Sequence, residues 1–306
     1  MHKTAVLLAT YNAKAHLAEL LDSLMNQTYE DFEIHYHDDG STDGTLEIME
    51  KYNADYPGKF FRIEGEPTGG AKQNFMYMLS KVEADYYFFC DDDDVWKEDK
   101  IKKELTLFDE ADIPEAVFCD LQIVDNNLNE ISPTFFAYVD RNPARTKLSQ
   151  LLIENMAPGC SMAINRKLRD LAIKQKELSQ IPMHDHFIMA LAAATGEIRY
   201  MDEPLVLYRQ TGENEVGAVH VGILGKVKRN LTDIFSGRVK KEKKAFHMQG
   251  YNLAEAIAEI IDNQESKSFL EAFLETKEVS KFSRIRFYKK NSIDKNSGNF
   301  WYYLWL

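Results

Sequence analysis

The sequence predicts an α/β fold: an open, mostly parallel sheet with helices on both faces, followed by a helical C-terminal region. Two observations carry this prediction. Through the first hundred residues, apolar runs typical of strands alternate with segments of helical periodicity, an order that favours parallel strands joined by helices. From about residue 221 the pattern becomes helical and basic. We therefore expect two regions, residues 1–220 and residues 221–306.

The individual elements follow from the spacing of apolar residues. Residues 5–9 form a continuous apolar run, as expected for a strand covered on both faces. Residues 15–25 then repeat leucine at helical spacing. The other predicted strands are 32–37, 60–63, 86–90, 116–121, 160–165 and 205–208, and the other predicted helices are 45–52, 74–82, 148–155 and 185–194.

Composition limits the classes of function. The 306 residues are 44% hydrophobic and 28% charged, as in ordinary globular proteins. Residues 221–306 hold 16 Lys/Arg against 10 Asp/Glu, whereas the acidic remainder argues against a nucleic-acid partner. No secretory signal or membrane-spanning run is visible, and three scattered cysteines favour a reducing compartment. We expect a cytoplasmic protein.

Four consecutive aspartates, Asp91 to Asp94, follow the strand predicted at residues 86–90. The carboxyl ends of strands are where ligands bind in an open α/β sheet. Carboxylate oxygens suit a hard divalent cation, which would offset the repulsion between the four charges. In an extended chain, Asp91 and Asp93 would point to one side and Asp92 to the other. The alternative is an acidic, solvated turn.

Two further polar loops follow the first two predicted strands. In Thr10-Tyr11-Asn12, the tyrosine ring could hold a flat base, although the loop could equally be an ordinary helix cap. Residues 38–45 read DDGSTDGT, and the Asp39 carboxylate could accept from base N–H or ribose hydroxyl groups. The alternative for this segment is helix capping by Ser41 or Thr42.

These three loops, in this order, resemble family 2 glycosyltransferases of the GT-A fold over residues 3–215. The run of aspartates stands where that family has its D-x-D motif. The resemblance implies that residues 1–220 bind a nucleotide-sugar and catalyse an inverting, metal-dependent transfer. The residues implied to contact the nucleotide-sugar are Thr10, Tyr11, Asn12, Asp39, Lys72, Asn74, Asp91, Asp92, Arg209 and Gln210, and those implied to bind Mn²⁺ or Mg²⁺ are Asp93 and Asp91.

The resemblance extends to the acceptor side. Asp185, at a predicted helix start, matches the family's catalytic base, and a favourable charge on the helix dipole is the alternative. Residues 159–165 resemble the strand beside the acceptor pocket, or are simply a core strand. Thr211 replaces a family histidine after Arg209 and Gln210, so metal binding would rely on the aspartates, or on His184 or His186. A structural salt bridge is the alternative for Arg209.

The motifs are most similar to those of bacterial rhamnosyltransferases that build rhamnose-rich cell-wall polysaccharides. This implies dTDP-rhamnose as donor and a lipid-linked cell-wall or capsular saccharide as acceptor. UDP-dependent glucosyl, galactosyl and N-acetylhexosaminyl transferases share the donor motifs. A nucleotidyltransferase would carry a Gly-rich loop after the first strand, where this chain has Thr10-Tyr11-Asn12, and Asp93 and Asp185 argue against a non-catalytic carbohydrate-binding protein.

The basic C-terminal region predicts amphipathic helices. Apolar residues recur at helical spacing among basic ones in 224–235 and 282–290, and residues 300–306 are mostly aromatic. Such helices fit the anionic inner face of a cell membrane. Packing on the catalytic domain, or on a second subunit in a homodimer, is the alternative.

Overall fold

The structure, a computed structural model, describes residues 2–109, 112–210 and 238–295, with the side chains of the last range described from residue 247. The strands in these ranges are β1 Thr4–Thr10, β2 Phe32–Asp38, β3 Phe60–Arg62, β4 Tyr86–Cys90, β5 Val95–Trp96, β6 Glu115–Val124, β7 Glu130–Ser132, β8 Met162–Asn165 and β9 Glu197–Arg209. The helices are α1 Leu17–Met25, α2 Thr45–Asp55, α3 Ala71–Lys81, α4 Lys100–Leu105, α5 Phe135–Val139, α6 Leu148–Leu151, α7 Arg166–Ala172, α8 His184–Thr195, α9 Arg238–Ile260, α10 Gln264–Glu275 and α11 Lys281–Lys290.

The described strands form one sheet in the order β3-β2-β1-β4-β8-β6-β9-β5, with β7 paired to β6. The first four strands pair in parallel, and the second half of the sheet mixes parallel and antiparallel pairs. The predicted α/β class, with an open sheet and surrounding helices, is confirmed. Because β2 and β4 lie on opposite sides of β1, strand order reverses there. Ligands of open α/β sheets bind outside the carboxyl ends of the strands at such a point.

The core of the sheet explains why these segments form strands. Leu7 and Leu8 of β1 and Phe88 and Phe89 of β4 are fully buried, so neighbouring residues point to opposite faces and both faces are covered. Helix α1 buries one stripe of leucines, Leu17, Leu20, Leu21 and Leu24, as its periodicity predicts.

Several local predictions were wrong in detail. The helix predicted at 148–155 ends at Leu151, and the strand predicted at 160–165 begins only at Met162, after a short 3₁₀ turn. The cap of α2 is Gly44, at φ 103°, rather than Ser41 or Thr42. The Ser41 hydroxyl is used elsewhere, since it accepts from Asn12 N and donates to the Asp38 carboxylate. Strand β9 begins at Glu197, well before the predicted residue 205, because the chain pairs with β6 from Glu197 onward. The charge of Arg199 within this part of the strand is satisfied by Glu115 and neighbouring carboxylates.

The chain divides into two compact units. Unit 1 comprises Met1–Phe135, Ala157–Lys174 and Gly196–Gly217, and it contains the whole sheet. Unit 2 comprises Phe136–Met156, Gln175–Thr195 and Ala218–Leu306. The predicted boundary at residue 220 stays a prediction, but two earlier segments also belong to the unit of the C-terminal helices.

The C-terminal helices of unit 2 pack through aromatic rings. The ring of Phe273 on α10 lies 5.0 Å from that of Tyr251 on α9 and 5.7 Å from that of Tyr288 on α11. No described helix is both long and apolar enough to cross a membrane. The predicted amphipathic segment 224–235 and the aromatic segment 300–306 lie outside the described residues.

Candidate active site

The loop after β1 is bonded to the loop after β2 in unit 1. The Asp38 carboxylate accepts from Thr10 Oγ1 at 3.0 Å and from the backbone N–H groups of Gly40 and Ser41. Asn12, in a left-handed conformation at φ 51°, donates its N–H to Ser41 Oγ and accepts from Thr42 N. The DDGSTDGT segment therefore fixes the shape of the loop that carries Thr10, Tyr11 and Asn12.

Asp39 joins the β2 loop to the loop before α3. Its carboxylate accepts from the backbone N–H groups of Thr68, Gly69 and Gly70 and from the Thr68 hydroxyl. Burial by itself would raise the pKa of Asp39, but these hydrogen bonds outweigh it and hold the pKa below the ordinary value of 3.8. The carboxylate predicted to contact the base thus also holds the next loop in place.

Asp39→Asn is expected to lower the free energy of unfolding at pH 7 by about 1–3 kcal/mol, because an amide NH₂ would face backbone N–H donors. The folded-state pKa lies below 3.8, so the stabilisation is present above that pH and is lost as the pH falls through the folded-state pKa. Urea unfolding from pH 7 to pH 3 measures both effects. Asp31→Asn, at an exposed position, is the control, and an Asp39→Asn deficit unchanged at pH 3 would contradict this account.

Tyr11 and Asp92 meet where the strand order reverses. Tyr11 N donates to Asp92 Oδ2 at 2.8 Å, which ties the β1 loop to the end of β4, while the tyrosine side chain is 61% exposed. Burial raises the pKa of Asp92 to about 7, and the Tyr11 hydrogen bond opposes that effect. An exposed aromatic ring on a rigid loop is suited to stacking against a flat base.

The run Asp91–Asp94 is not extended. Asp92 and Asp93 form a turn between β4 and β5, so the predicted alternation of Asp91 and Asp93 against Asp92 was wrong, because alternation requires a strand. A carboxylate oxygen of Asp91, one of Asp94 and Sγ of Cys160 lie within 4.8 Å of one another. Asp94 is fully buried and accepts from Arg209 N at 3.0 Å.

The acidic turn fits a divalent cation by its chemistry. Burial raises the pKa of Asp93, and burial together with the charge of Asp93 raises the pKa of Asp94 well above its ordinary value. A cation relieves such crowding by favouring the ionised carboxylates. Carboxylate oxygens suit Mg²⁺ or Mn²⁺ better than the soft sulfur of Cys160 does. Asp91 and Asp93 stay the predicted ligands.

The Arg209 side chain binds the acidic turn through a set of hydrogen bonds that we call the Arg209 clamp. The side chain is fully buried and donates to Asp93 O at 2.7 Å, Asn126 O at 2.5 Å and Glu19 Oε2 at 2.5 Å. One guanidinium therefore connects α1, the acidic turn and the β6–β7 turn. These contacts support the structural alternative for Arg209 over direct diphosphate binding.

Arg209→Lys is expected to lower the free energy of unfolding by about 2–4 kcal/mol. A lysine ammonium cannot reach all three acceptors, so at least one hydrogen bond from the charged side chain to a backbone carbonyl is lost, at a cost of about 1.5–3 kcal/mol, in addition to the pair with Glu19. Urea unfolding measures the loss. Glu19→Gln is the matched control, since the Glu19 side chain is 54% exposed and the pair with it should contribute less than about 1 kcal/mol. Equal stability of the two variants would contradict the clamp.

The remaining predicted donor residues differ in their setting. Lys72 is half-buried in the first turn of α3. Asn74 is buried, and its amide accepts from His37 Nδ1 at 3.0 Å and donates to His37 O at 3.1 Å. Its contact with the nucleotide-sugar stays a prediction. Gln210 donates its N–H to Val124 O, and Thr211 lies outside the described residues.

Asp185 belongs to unit 2, in the first turn of α8, and its Oδ1 accepts from His186 N at 2.6 Å. His184 is buried and His186 is half-buried, and burial lowers the pKa of His184 to about 3 and that of His186 to about 4. His186 Nε2 donates to Leu151 O at 2.6 Å. That bond points to a structural role for His186, and the assignment of Asp185 as base stays a prediction.

Sequence patterns did not identify several residues around the acidic turn. His16, just before α1, interacts electrostatically with Asp93 and Arg209, and burial is the main cause that lowers its pKa. Glu19 belongs to no recognisable motif, and Cys160 is one of three scattered cysteines. These three residues come close to the acidic turn only in the folded structure. The periodicity of apolar residues in the sequence therefore could not identify them.

Comparisons with known proteins identify the family of the chain. The family model described as Glycosyl transferase family 2 matches residues 5–171. Over 283 residues the chain is 30% identical to dTDP-rhamnosyl transferase RfbG of Shigella flexneri, covering 86% of this chain and 89% of that protein.

A second relative is poly(ribitol-phosphate) beta-N-acetylglucosaminyltransferase TarS of Staphylococcus aureus. It is 34% identical over 112 residues, which cover 36% of this chain and 19% of that protein. The crystal structure of S. aureus TarS 1–349 in complex with UDP has a TM-score of 0.54 at 19% identity, covering 93% of this chain and 77% of that one. At that identity the likeness concerns the fold.

Proposed function

Because the chain belongs to glycosyl transferase family 2 and is a glycosyltransferase, we propose that it transfers L-rhamnose from dTDP-rhamnose to a hydroxyl of a growing, lipid-linked cell-wall or capsular polysaccharide. The observation that carries the donor site is the set of hydrogen-bonded loops at the carboxyl ends of β1, β2 and β4, with the exposed Tyr11 among them.

Each donor loop has a part in this proposal. The Tyr11 ring stacks on the base, and Asp39 and Thr10 shape the pocket edge around the ribose. Asp91 and Asp93 face the diphosphate with a bound Mn²⁺ or Mg²⁺, while Lys72 lies beside the donor. Support comes from the topology, since ligands of open sheets bind where strand order reverses, and from the UDP complex of the TarS structure.

The choice of rhamnose rests on the Shigella relative, a dTDP-rhamnosyl transferase that matches most of this chain. The second candidate is transfer of a hexose or N-acetylhexosamine from a UDP-sugar. It is favoured by the match to TarS, a beta-N-acetylglucosaminyltransferase, although that match covers a shorter segment.

The mechanism follows from the roles of the carboxylates. A divalent cation held by Asp91 and Asp93 would neutralise the charge that develops on the leaving diphosphate. Asp185 accepts the proton of the acceptor hydroxyl as the new bond forms. Asp92 and the Arg209 clamp hold the loops that present these groups. With one base and no covalent intermediate, the transfer is a single displacement that inverts the anomeric centre.

The proposed setting is the cytoplasmic face of the cell membrane. The three cysteines are buried and free, as expected in a reducing compartment. The basic C-terminal region would bring the enzyme to lipid-linked acceptors at an anionic surface. A homodimer formed through the same region is the alternative.

A panel of nucleotide-sugars tests the donor. dTDP-rhamnose, UDP-glucose, UDP-galactose, UDP-N-acetylglucosamine and GDP-mannose are each incubated with the protein and Mn²⁺, and release of nucleoside diphosphate is measured. The proposal expects dTDP-rhamnose to give the highest rate. Faster release from a UDP-sugar would favour the second candidate, and no release from any donor would count against both.

A further inference from the structure

Helix α11 presents a basic surface with an aromatic residue at its centre. Phe282 is 86% exposed, and Arg286 and Lys289 follow at positions i+4 and i+7 on the same side of the helix, next to the exposed Lys290. We call these four residues the outer face of α11. The sequence of the helix contains five basic residues and no acidic one.

The opposite side of α11 is anchored within unit 2. Tyr288 is fully buried, and its ring packs against that of Phe273 on α10 at 5.7 Å. The Phe287 ring stacks on Phe269 at 6.3 Å, and the Arg284 guanidinium donates to Thr276 O at 2.8 Å. These contacts fix the rotation of the helix, so the outer face cannot turn inward to bury Phe282.

We propose that the outer face of α11 is the surface through which the protein docks on an anionic membrane. The proposal rests on the proposed function only in that a lipid-linked acceptor lies at such a surface. An exposed ring inserts at the lipid–water boundary, and the neighbouring cations pair with lipid phosphates. Val279, 40% exposed and just before the N-cap Ser280, is a second exposed apolar residue, three positions before Phe282 in the sequence.

Charge favours an anionic membrane over a symmetric contact between two copies of the outer face, because two such basic faces would repel each other. The whole protein carries a net charge of −12, so a bilayer with anionic lipid repels the acidic part of the chain and attracts this basic helix, which sets the orientation of binding. Because binding and orientation then depend on the same few basic residues, replacing two of them with acidic residues should weaken membrane binding strongly. A partner recognised mainly through the Phe282 ring would depend much less on these charges.

Vesicle sedimentation tests the proposal. The full chain is mixed with vesicles of phosphatidylcholine alone, or with about a third phosphatidylglycerol, in low and high salt. Near an anionic surface each basic residue is worth about a five-fold change in partitioning. The double variant Arg286→Glu/Lys290→Glu should therefore bind the anionic vesicles at least about 25-fold more weakly, and Phe282→Ser should also weaken binding.

Matched controls separate the surface from general effects. Lys51→Glu/Lys102→Glu changes two exposed lysines on α2 and α4, and Phe61→Ser removes another exposed aromatic residue. Both should bind like the wild type. Wild-type protein that ignores anionic vesicles in low salt, or an Arg286→Glu/Lys290→Glu variant that binds normally, would overturn the proposal. So would a dimer, seen by sedimentation velocity, that Phe282→Ser dissolves while vesicle binding persists.

The donor panel keeps this result distinct from the proposed function. Release of nucleoside diphosphate by Arg286→Glu/Lys290→Glu should match the wild type, because no outer-face residue belongs to the donor loops. Vesicle binding without activity on any donor would refute the proposed function alone. Donor activity without vesicle binding would refute the docking surface alone.

Discussion

Asp185→Asn is expected to lower kcat by about 10²–10⁴-fold with little change in donor affinity, because a positioned general base contributes about that factor. Asparagine keeps the oxygen that accepts from His186 N, so the start of α8 should be preserved. The variant loses only the ability to take the proton of the acceptor hydroxyl. The measurements are kcat with a saccharide acceptor and the affinity for nucleoside diphosphate by calorimetry.

The size of the effect separates this role from its alternative. A carboxylate in the first turn of a helix typically contributes about 0.3–1 kcal/mol through the helix dipole, which would appear as a small loss of stability. Asp262→Asn, at an exposed position before α10, is the control in the same unit. If Asp185→Asn kept within about five-fold of wild-type kcat, the dipole role would be sufficient and the base would have to be sought elsewhere.

Local periodicity was enough to predict the first half of the sheet. Residues 5–9 and 86–90 are apolar throughout because β1 and β4 are covered on both faces, and the shortness of these runs favours strands over buried helices. The rest of the sheet was harder to predict, because its strands contain polar side chains whose partners are distant in sequence. Strand β9 was predicted only at its apolar end, since the ion pairs of Arg199 with Glu115 could not be read from the chain.

The candidate site shows the same division between local and distant effects. The positions of the polar loops at strand ends follow from the strands, so the sequence places Tyr11, Asp39 and the acidic turn at one edge of the sheet. The hydrogen bonds within that edge do not follow. Arg209 meets acceptors 83, 116 and 190 residues away, and no spacing rule could separate a clamp from a phosphate ligand.

The wrong alternation in the acidic run has a consequence for metal binding. Because the chain turns within residues 91–94, the geometry of the turn determines which carboxylates could share a cation. The alternation of side chains that holds in a strand does not apply. The backbone carbonyl of Asp93 accepts from the Arg209 side chain at 2.7 Å, as part of the Arg209 clamp. Asp94, in contrast, is fully buried, and its carboxylate accepts from the backbone N–H of Arg209. Substituting Asp93 and Asp94 separately can therefore show which of the two binds the cation.

Asp93→Ala is expected to lower transfer by about 10³-fold, because a bound cation is worth several kcal/mol of charge stabilisation on the leaving group. Without metal the variant should be at least as stable as the wild type. Burial raises the pKa of Asp93, so its ionised carboxylate destabilises the metal-free fold, and the backbone contact with Arg209 does not need the side chain.

Metal binding gives a measurement of Asp93→Ala that is independent of activity. Wild-type protein should gain thermal stability on addition of Mn²⁺, as any ligand of the folded state requires, and Asp93→Ala should lose that gain. Asp55→Asn, an exposed change at the end of α2, should retain it. If Asp93→Ala kept the Mn²⁺ shift and Asp94→Asn lost it, the cation would instead belong to the buried group of Asp91, Asp94 and Cys160, since the atoms of that group already converge within 4.8 Å.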